Sequence, residues 1–274
     1  MTNEKPPLRL CGIFAHPDDE TLGTGATLAR YASEGVETYV VTATRGQRGR
    51  YRDGKDHPGP EALGRIREAE LRAAAEVLGV KEVSVLGYWD KDFDKTDPDE
   101  VIGRLVDHLR RIRPQVVITF DPNGAYGHPD HIAICQFATA AVVAAADPSC
   151  NMSGDDDRPS HRVSKLYYMG WPRVKWELYQ AAFKRLVSHV DGVERQATPW
   201  EDWALTTVID TTEHWTTAWR AVQCHESQMA IYGGLAELSE EQHRVLWGTQ
   251  EYYRAMSLVN GGRARETDLF EGLR

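Results

Sequence analysis

Through the first 147 positions, short apolar runs alternate with amphipathic stretches of helical length. Residues 8–15 read as a buried strand that ends at His16-Pro17. Residues 21–34 read as a helix with Leu22, Ala26, Leu28, Ala29 and Ala32 on its apolar side, stopped by Gly35. Residues 36–43 are rich in β-branched side chains and predict a second strand; 45–60 are polar and rich in Gly and Pro, hence a loop. A helix over 62–78, a strand over 81–86, a helix over 99–112, a strand over 115–120 and a helix over 132–146 follow. Strands alternating with helices predict βαβ units and an α/β fold: a Rossmann-like, doubly wound, mostly parallel sheet with helices on both faces.

The pattern changes after Pro148. Residues 148–160 have no apolar period and predict a loop; 163–169 and 206–210 predict strands; 212–229 predict a helix. Seven of the eight tryptophans lie from Trp171 onward, which predicts a helical, aromatic-rich second half packed on the sheet. No internal repeat or low-complexity tract interrupts the chain. It reads as a single domain, 1–274, with a core over 1–147 and a remainder over 148–274 that completes a pocket.

Composition narrows the function classes. The chain has 274 residues, 41 acids against 32 bases and a formal net charge of -9, which argues against a nucleic-acid partner. Cys11, Cys135, Cys150 and Cys224 are far apart and form no CxxC, so neither a disulfide frame nor a cysteine zinc cluster is expected. No apolar run approaches the ~18 residues of a membrane span, and the first ten residues lack a signal-peptide pattern. The expectation is a cytoplasmic protein with no membrane partner; a homo-oligomer is left open.

Two clusters bring chemistry into this frame. Ala15-His16-Pro17-Asp18-Asp19-Glu20 follows the first predicted strand, and Gly127-His128-Pro129-Asp130-His131 follows the strand at 115–120. Carboxyl ends of parallel strands are where open α/β sheets bind ligands. Imidazole and carboxylate suit zinc, and three protein ligands with one open position is the catalytic pattern. His16, Asp19 and one histidine of the second cluster supply that count, which leaves Asp18 free to act on water. A lone His-Pro-Asp is ordinarily a turn with Asp as a helix cap; two of them at strand ends weigh against that bland reading.

The AHPDDE and GHPDH pair resembles that of the PIG-L/LmbE-like N-deacetylases, metal-dependent enzymes that remove N-acyl groups from amino sugars. The resemblance continues through GATLARYASEG (25–35), VVTATRGQRG (40–49) and RIREAELRAAAEVLGV (65–80). CHESQ (224–228) and ETDLFEGL (266–273) resemble the mycothiol branch, the biosynthetic deacetylase and the conjugate amidase. It implies that His16, Asp19 and His131 hold Zn²⁺, with Fe²⁺ as the alternative. It further implies that Asp18 is the general base, that His128 stabilises the oxyanion or protonates the leaving amine, that Asp130 orients His128, and that Tyr126 polarises the carbonyl. Arg67, Asp90, Gln47 and His225 are the implied contacts to a small N-acyl amino sugar or glycoconjugate.

Plainer readings stand beside these. Arg67 and Glu70 also fit a solvated helix face, Asp90 a loop cap, and His225 a core or capping histidine. Gln47 stands where the family often has glutamate, and Gly23 where the conjugate amidase is expected to carry lysine. His57, His108, His161, His189, His214 and His243 have no partner pattern and are expected at the surface. The late tryptophans are expected in the core, with one or two free to stack on a sugar; the loop over 45–60 is either solvated or a lid. The alternative functions are an amidase cleaving a larger amide and a non-catalytic sugar-binding protein. A dinucleotide site at Gly23-Thr24-Gly25-Ala26 lacks the third glycine and the ribose-binding acid.

Overall fold

The computed structural model describes residues 7–54, 56–150, 158–183, 186–259 and 262–274. The first half alternates as its apolar pattern predicts: β1 (Arg9–Phe14), α1 (Asp19–Ser33), β2 (Glu37–Thr44), α2 (Pro60–Leu78), β3 (Glu82–Tyr88), α3 (Pro98–Ile112), β4 (Val116–Thr119), the distorted turn α4 (Gly124–Gly127) and α5 (Pro129–Ala144). The second half contributes β5 (Lys165–Gly170), α6 (Arg173–Ala182), the hairpin β6 (Val187–Val190) and β7 (Val193–Gln196), and β8 (Thr207–Asp210). It ends with α7 (Trp215–Gln223), the short turn α8 (Gly233–Ala236), α9 (Glu240–Trp247) and β9 (Thr249–Ser257).

Seven strands form one sheet in the order β3-β2-β1-β4-β5-β9-β8. The first five are parallel; β9 runs antiparallel to β5, and β8 antiparallel to β9. The fold is thus the expected mostly parallel α/β arrangement. The chain winds outward from β1 to β3, crosses back, and winds the other way through β4. Right-handed crossovers then put α1 and α2 on one face and α3 and α5 on the other. Strand order reverses between β1 and β4, and the crevice beyond their carboxyl ends is where such a sheet takes its ligand.

Burial explains why β4 is a continuous apolar run. Val116, Val117 and Ile118 are wholly buried, and each such side chain contributes up to about 1.5–3 kcal/mol. α3 earns its amphipathic pattern by burying Val101, Leu105, Val106 and Leu109 beneath the sheet. A second, smaller cluster forms around Tyr179, Val222, Leu235, Leu246 and Trp247, against Ala26 of α1.

The second half departs from its prediction. It is less helical than expected: β9 is a nine-residue strand, and β6 and β7 pair as a hairpin. β9 carries its signal in alternation (Gln250 and Tyr252 buried, Tyr253 exposed), but its aromatic content reads equally as a helix face. The helix predicted over 212–229 stops at Gln223, because Ser227 and Gln228 are drawn off into hydrogen bonds with Glu70 and the Arg50 carbonyl. Residues 151–157 of the predicted loop at 148–160 lie outside the described residues. His161 and His243 are buried rather than at the surface; each ring donates from Nε2 to a carbonyl, of Pro114 and Leu235 respectively. Trp247 is in the core as expected, whereas Trp203 is 84% exposed. Among the described residues, no helix is long and apolar enough to cross a membrane.

Candidate active site

α1 starts at Asp19 and α5 at Pro129, so both His-Pro-Asp clusters sit at helix starts, the first directly after β1 and the second after β4 and the turn α4. The two turns meet. His16 Nδ1 lies 3.1 Å from His131 Nε2 and 3.6 Å from Asp19 Oδ2, and His131 Nε2 lies 3.5 Å from Asp19 Oδ1. Ligands at ~2.0–2.1 Å from a tetrahedral ion are ~3.4 Å apart. Each of these pairs is at the separation of two ligands on one cation, but Asp19 faces the two histidines through different oxygens, so its carboxylate would have to rotate for a single oxygen to join both imidazoles on one ion.

The other side of the His16 ring faces carboxylates. Nε2 is 3.1 Å from Asp130 Oδ2 and 3.2 Å from Asp90 Oδ1. Two further sets of donors share His16, one with His128 and His131, the other with Asp90 and Asp130. A neutral imidazole has one lone pair and can ligate on one side only. Asp130 already accepts the Lys91 and Asp94 amides, and Asp90 the Arg48 amide. The Nδ1 side is thus the candidate metal centre, and the carboxylates on Nε2 fix the ring's tautomer and aim. Burial alone would lower His16, but Asp90, Asp130 and Asp19 outweigh it and hold its pKa well above the ordinary histidine value. Burial, with His128 and His16 nearby, keeps His131 well below that value. Its ring stacks on Phe120 at 3.9 Å between centroids.

Asp18 stands beside this cluster in an unusual conformation, with φ 106°. Backbone strain of this kind costs about 1–3 kcal/mol and persists only where neighbours impose it. Arg67 Nη2 donates to Asp18 Oδ2 at 2.7 Å, and the Tyr232 hydroxyl donates to the same oxygen. The Asp18 amide donates to Glu20 Oε2 at 2.9 Å. Burial raises the Asp18 pKa and Arg67 opposes it; the net shift is upward. Arg67 is seated by the 45–49 loop, where Nη1 reaches the Gly46 carbonyl at 3.0 Å. Gly46 has φ 61°, and a Cβ there would lie 2.1 Å from Arg67 Nη1, so a side chain at this position would unseat the guanidinium.

His128 caps α5: its Nδ1 accepts from the Asp130 amide at 3.2 Å. A nitrogen that accepts carries no proton, so the neutral ring keeps its hydrogen on Nε2. Burial and the charge of His16 lower the His128 pKa to about 4, so near neutral pH it is an uncharged donor. Tyr126, set by Ala125 at φ 59°, packs edge-on against His128 and His131. These groups line one cavity of about 290 Å³. Its other wall is apolar and comes mainly from the second half, through Met169, Trp171, Phe183, Leu186, Val187 and Ile231.

Comparison with known proteins shows the family and the fold. The family model described as PIG-L, GlcNAc-PI de-N-acetylase, matches residues 11–142. A 1D-myo-inositol 2-acetamido-2-deoxy-alpha-D-glucopyranoside deacetylase of Streptomyces avermitilis is 36% identical, covering 98% of each chain. The chain belongs to the PIG-L family. Within that family, a mycothiol S-conjugate amidase of Streptomyces coelicolor is 34% identical over 97% of this chain and 98% of its own. The N,N'-diacetylchitobiose deacetylase of Pyrococcus horikoshii shares the fold, with a TM-score of 0.67 at 21% identity, covering 90% of this chain and 83% of that one.

Several expected contacts of this PIG-L chain lie elsewhere than the motifs implied. The Asp130 carboxylate is on His16 Nε2, not on the His128 ring. Gln47 does not line the cavity: its amide bonds the Tyr88 carbonyl and the Asp90 amide, spending both ends on the β3 terminus. His225 is also outside the cavity, fully buried with Nε2 2.9 Å from Glu20 Oε1. Arg67 is buried rather than solvated and lines the cavity, with its Nη atoms bonded to Asp18, Pro17 and Gly46. Glu70 accepts from Ser227. Asp90 does line the cavity. Of the loop over 45–60, Gly49 and Arg50 line the cavity and the Arg52 amide is tied to Ser227. Tyr232 and Glu20 were missed. Glu20 sits inside the first motif, where its acid could have been read as an acceptor; Tyr232 carries no local signal.

Proposed function

We propose that the chain is a metal-dependent hydrolase that removes an N-acyl group, acetyl in the first instance, from an amino sugar or glucosaminyl conjugate. One observation carries this reading: a restrained carboxylate, Asp18, shares a cavity with the imidazoles of His16 and His131, 3.1 Å apart with Asp19 beside both, and with a neutral histidine donor. The named activities of the two Streptomyces relatives support it.

His16, Asp19 and His131 would hold Zn²⁺, or Fe²⁺, since two imidazoles and a carboxylate suit both. Such an ion would supply Lewis acidity and make water more acidic. Asp18 takes a proton from the attacking water, and its raised pKa suits a group that must later give that proton up. His128 offers Nε2–H, and Tyr126 its hydroxyl, to the carbonyl oxygen as charge grows on it. The C–N bond then breaks, the nitrogen leaves with the proton from Asp18, and the products are a carboxylic acid and a free amine. His128 is a poor source for that proton, because protonating Nδ1 would break its bond with the Asp130 amide.

The second reading is an amidase for a larger amide. The apolar wall of the cavity favours it, while Gly23, in place of the lysine expected of the conjugate amidase, weighs against it. A panel of N-acyl amino sugars and glucosaminyl amides, scored for amine release with and without chelator, tests both. Release confined to N-acetyl sugars supports the deacetylase, release confined to the larger amides supports the amidase, and chelator-insensitive or absent release overturns the metal-dependent reading.

A further inference from the structure

Asp18 is held at its carbonyl by Thr21 and Leu22 of α1, and at two further points, the carboxylate and the amide, by contacts that involve the second half of the chain. At the carboxylate, Oδ2 accepts from both Arg67 and Tyr232. Oδ1 is then the carboxylate oxygen with no hydrogen bond seen among the described residues. At the backbone, the Asp18 amide donates to Glu20, and Glu20 in turn meets His225 at 2.9 Å. Glu20 and His225 are fully buried. An aspartate at φ 106° relaxes to an ordinary conformation unless held. Helix capping does not account for the grip, because the Asp18 side chain makes no cap bond to α1.

We infer that Tyr232 and the Glu20–His225 pair are positioning residues for Asp18. Tyr232 fixes the rotation of the carboxylate, so that Oδ1 is the oxygen left to take a proton. Glu20, itself fixed by His225, holds the backbone that carries the carboxylate. The inference rests on the reading of Asp18 as the base. Phe183 packs edge-on to the Tyr232 ring at 5.7 Å, so Tyr232→Phe removes the hydroxyl and keeps the packing.

The test uses the full chain with N-acetyl-D-glucosamine as the probe. Tyr232→Phe should lower kcat about ten- to a hundredfold, with KM, metal content and Tm close to wild type. Glu20→Met, which has no acceptor, should lose a similar factor, and Glu20→Gln, whose amide oxygen still accepts from Asp18, should recover most of it. A merely structural role would move Tm and leave kcat, and that result overturns the proposal. Two measurements need no turnover. Hydrogen exchange at the Asp18 amide should be about tenfold faster in Glu20→Met than in wild type or Glu20→Gln, and equal rates overturn the backbone grip. A crystal structure of Tyr232→Phe with the Asp18 carboxylate unmoved overturns the other grip. If the wild type releases no amine from any N-acyl sugar, the hydrolase reading fails, while these two measurements still decide the grip.

Discussion

His16-Pro17-Asp18 and His128-Pro129-Asp130 are the same three residues after neighbouring parallel strands, yet the two helices start at different points within them. α1 is capped at Asp18, the third residue, and α5 at His128, the first. That offset exchanges the roles. In the first turn the histidine stays ahead of the helix and aims Nδ1 at the donor cluster, and the residue after the motif, Asp19, joins it. In the second turn the histidine is spent on capping and the residue after the motif, His131, supplies the donor. The aspartates diverge in the same way: Asp18 is held beside the cluster, whereas Asp130 turns behind it to orient His16. Identical residues in sequence thus make two different kits, because a helix start rotates every side chain that follows it.

The comparison breaks most easily at its aspartates. Asp18→Asn should cost about 10³-fold or more in kcat while the protein keeps its metal. Asp130→Asn should instead weaken metal affinity about 10- to 100-fold. Turnover assays beside metal analysis on both variants settle it, and a like outcome for the pair would mean that the two turns are equivalent.

The histidines give a smaller contrast. His16→Ala should abolish stoichiometric metal binding, whereas His128→Asn, which preserves a helix cap, should keep the metal and lose about a hundredfold in kcat. Metal loss in both would return His128 to the ligand set.

The smallest effect is on stability. The fold keeps His128 neutral down to about pH 4, while the unfolded chain takes up that proton near 6.5. The unfolded state therefore binds more protons between these values, and this stabilising contribution, complete above pH 6.5, is lost as pH falls towards 4. In chelator-treated protein, the Tm drop between pH 7 and 5 should be larger in wild type than in His128→Asn, by on the order of 5 °C. Parallel pH profiles would show that His128 is not withheld from protonation.

Much of the first half was legible because its signals are local. The run Val116–Thr119 and the 3.6-residue period of α3 each declare their element within a few residues. The second half was misjudged where tertiary pairing overrode local preference. β9 exists because it completes hydrogen bonds with β5 and β8, and α7 stops early because Glu70 and Arg50 capture the residues beyond it. Gln47 and His225 drew attention as polar residues in family-like stretches, but neither shows, from its neighbours in sequence, which buried partner it will satisfy.

By itself the sequence determined the α/β alternation, the placement of both His-Pro-Asp turns in the connections that follow β1 and β4, and the oxygen and nitrogen character of the candidate metal donors. These follow from short-range periodicity and residue chemistry. Only the tertiary structure decided which nitrogen of His16 meets the cluster, that Arg67 turns inward onto a carboxylate 49 residues away, and that Tyr232 reaches the same carboxylate across 214 residues. Such partners are chosen by the demand that buried charge and buried hydroxyls be paired, and that demand acts through space, where the order of residues along the chain carries no distance.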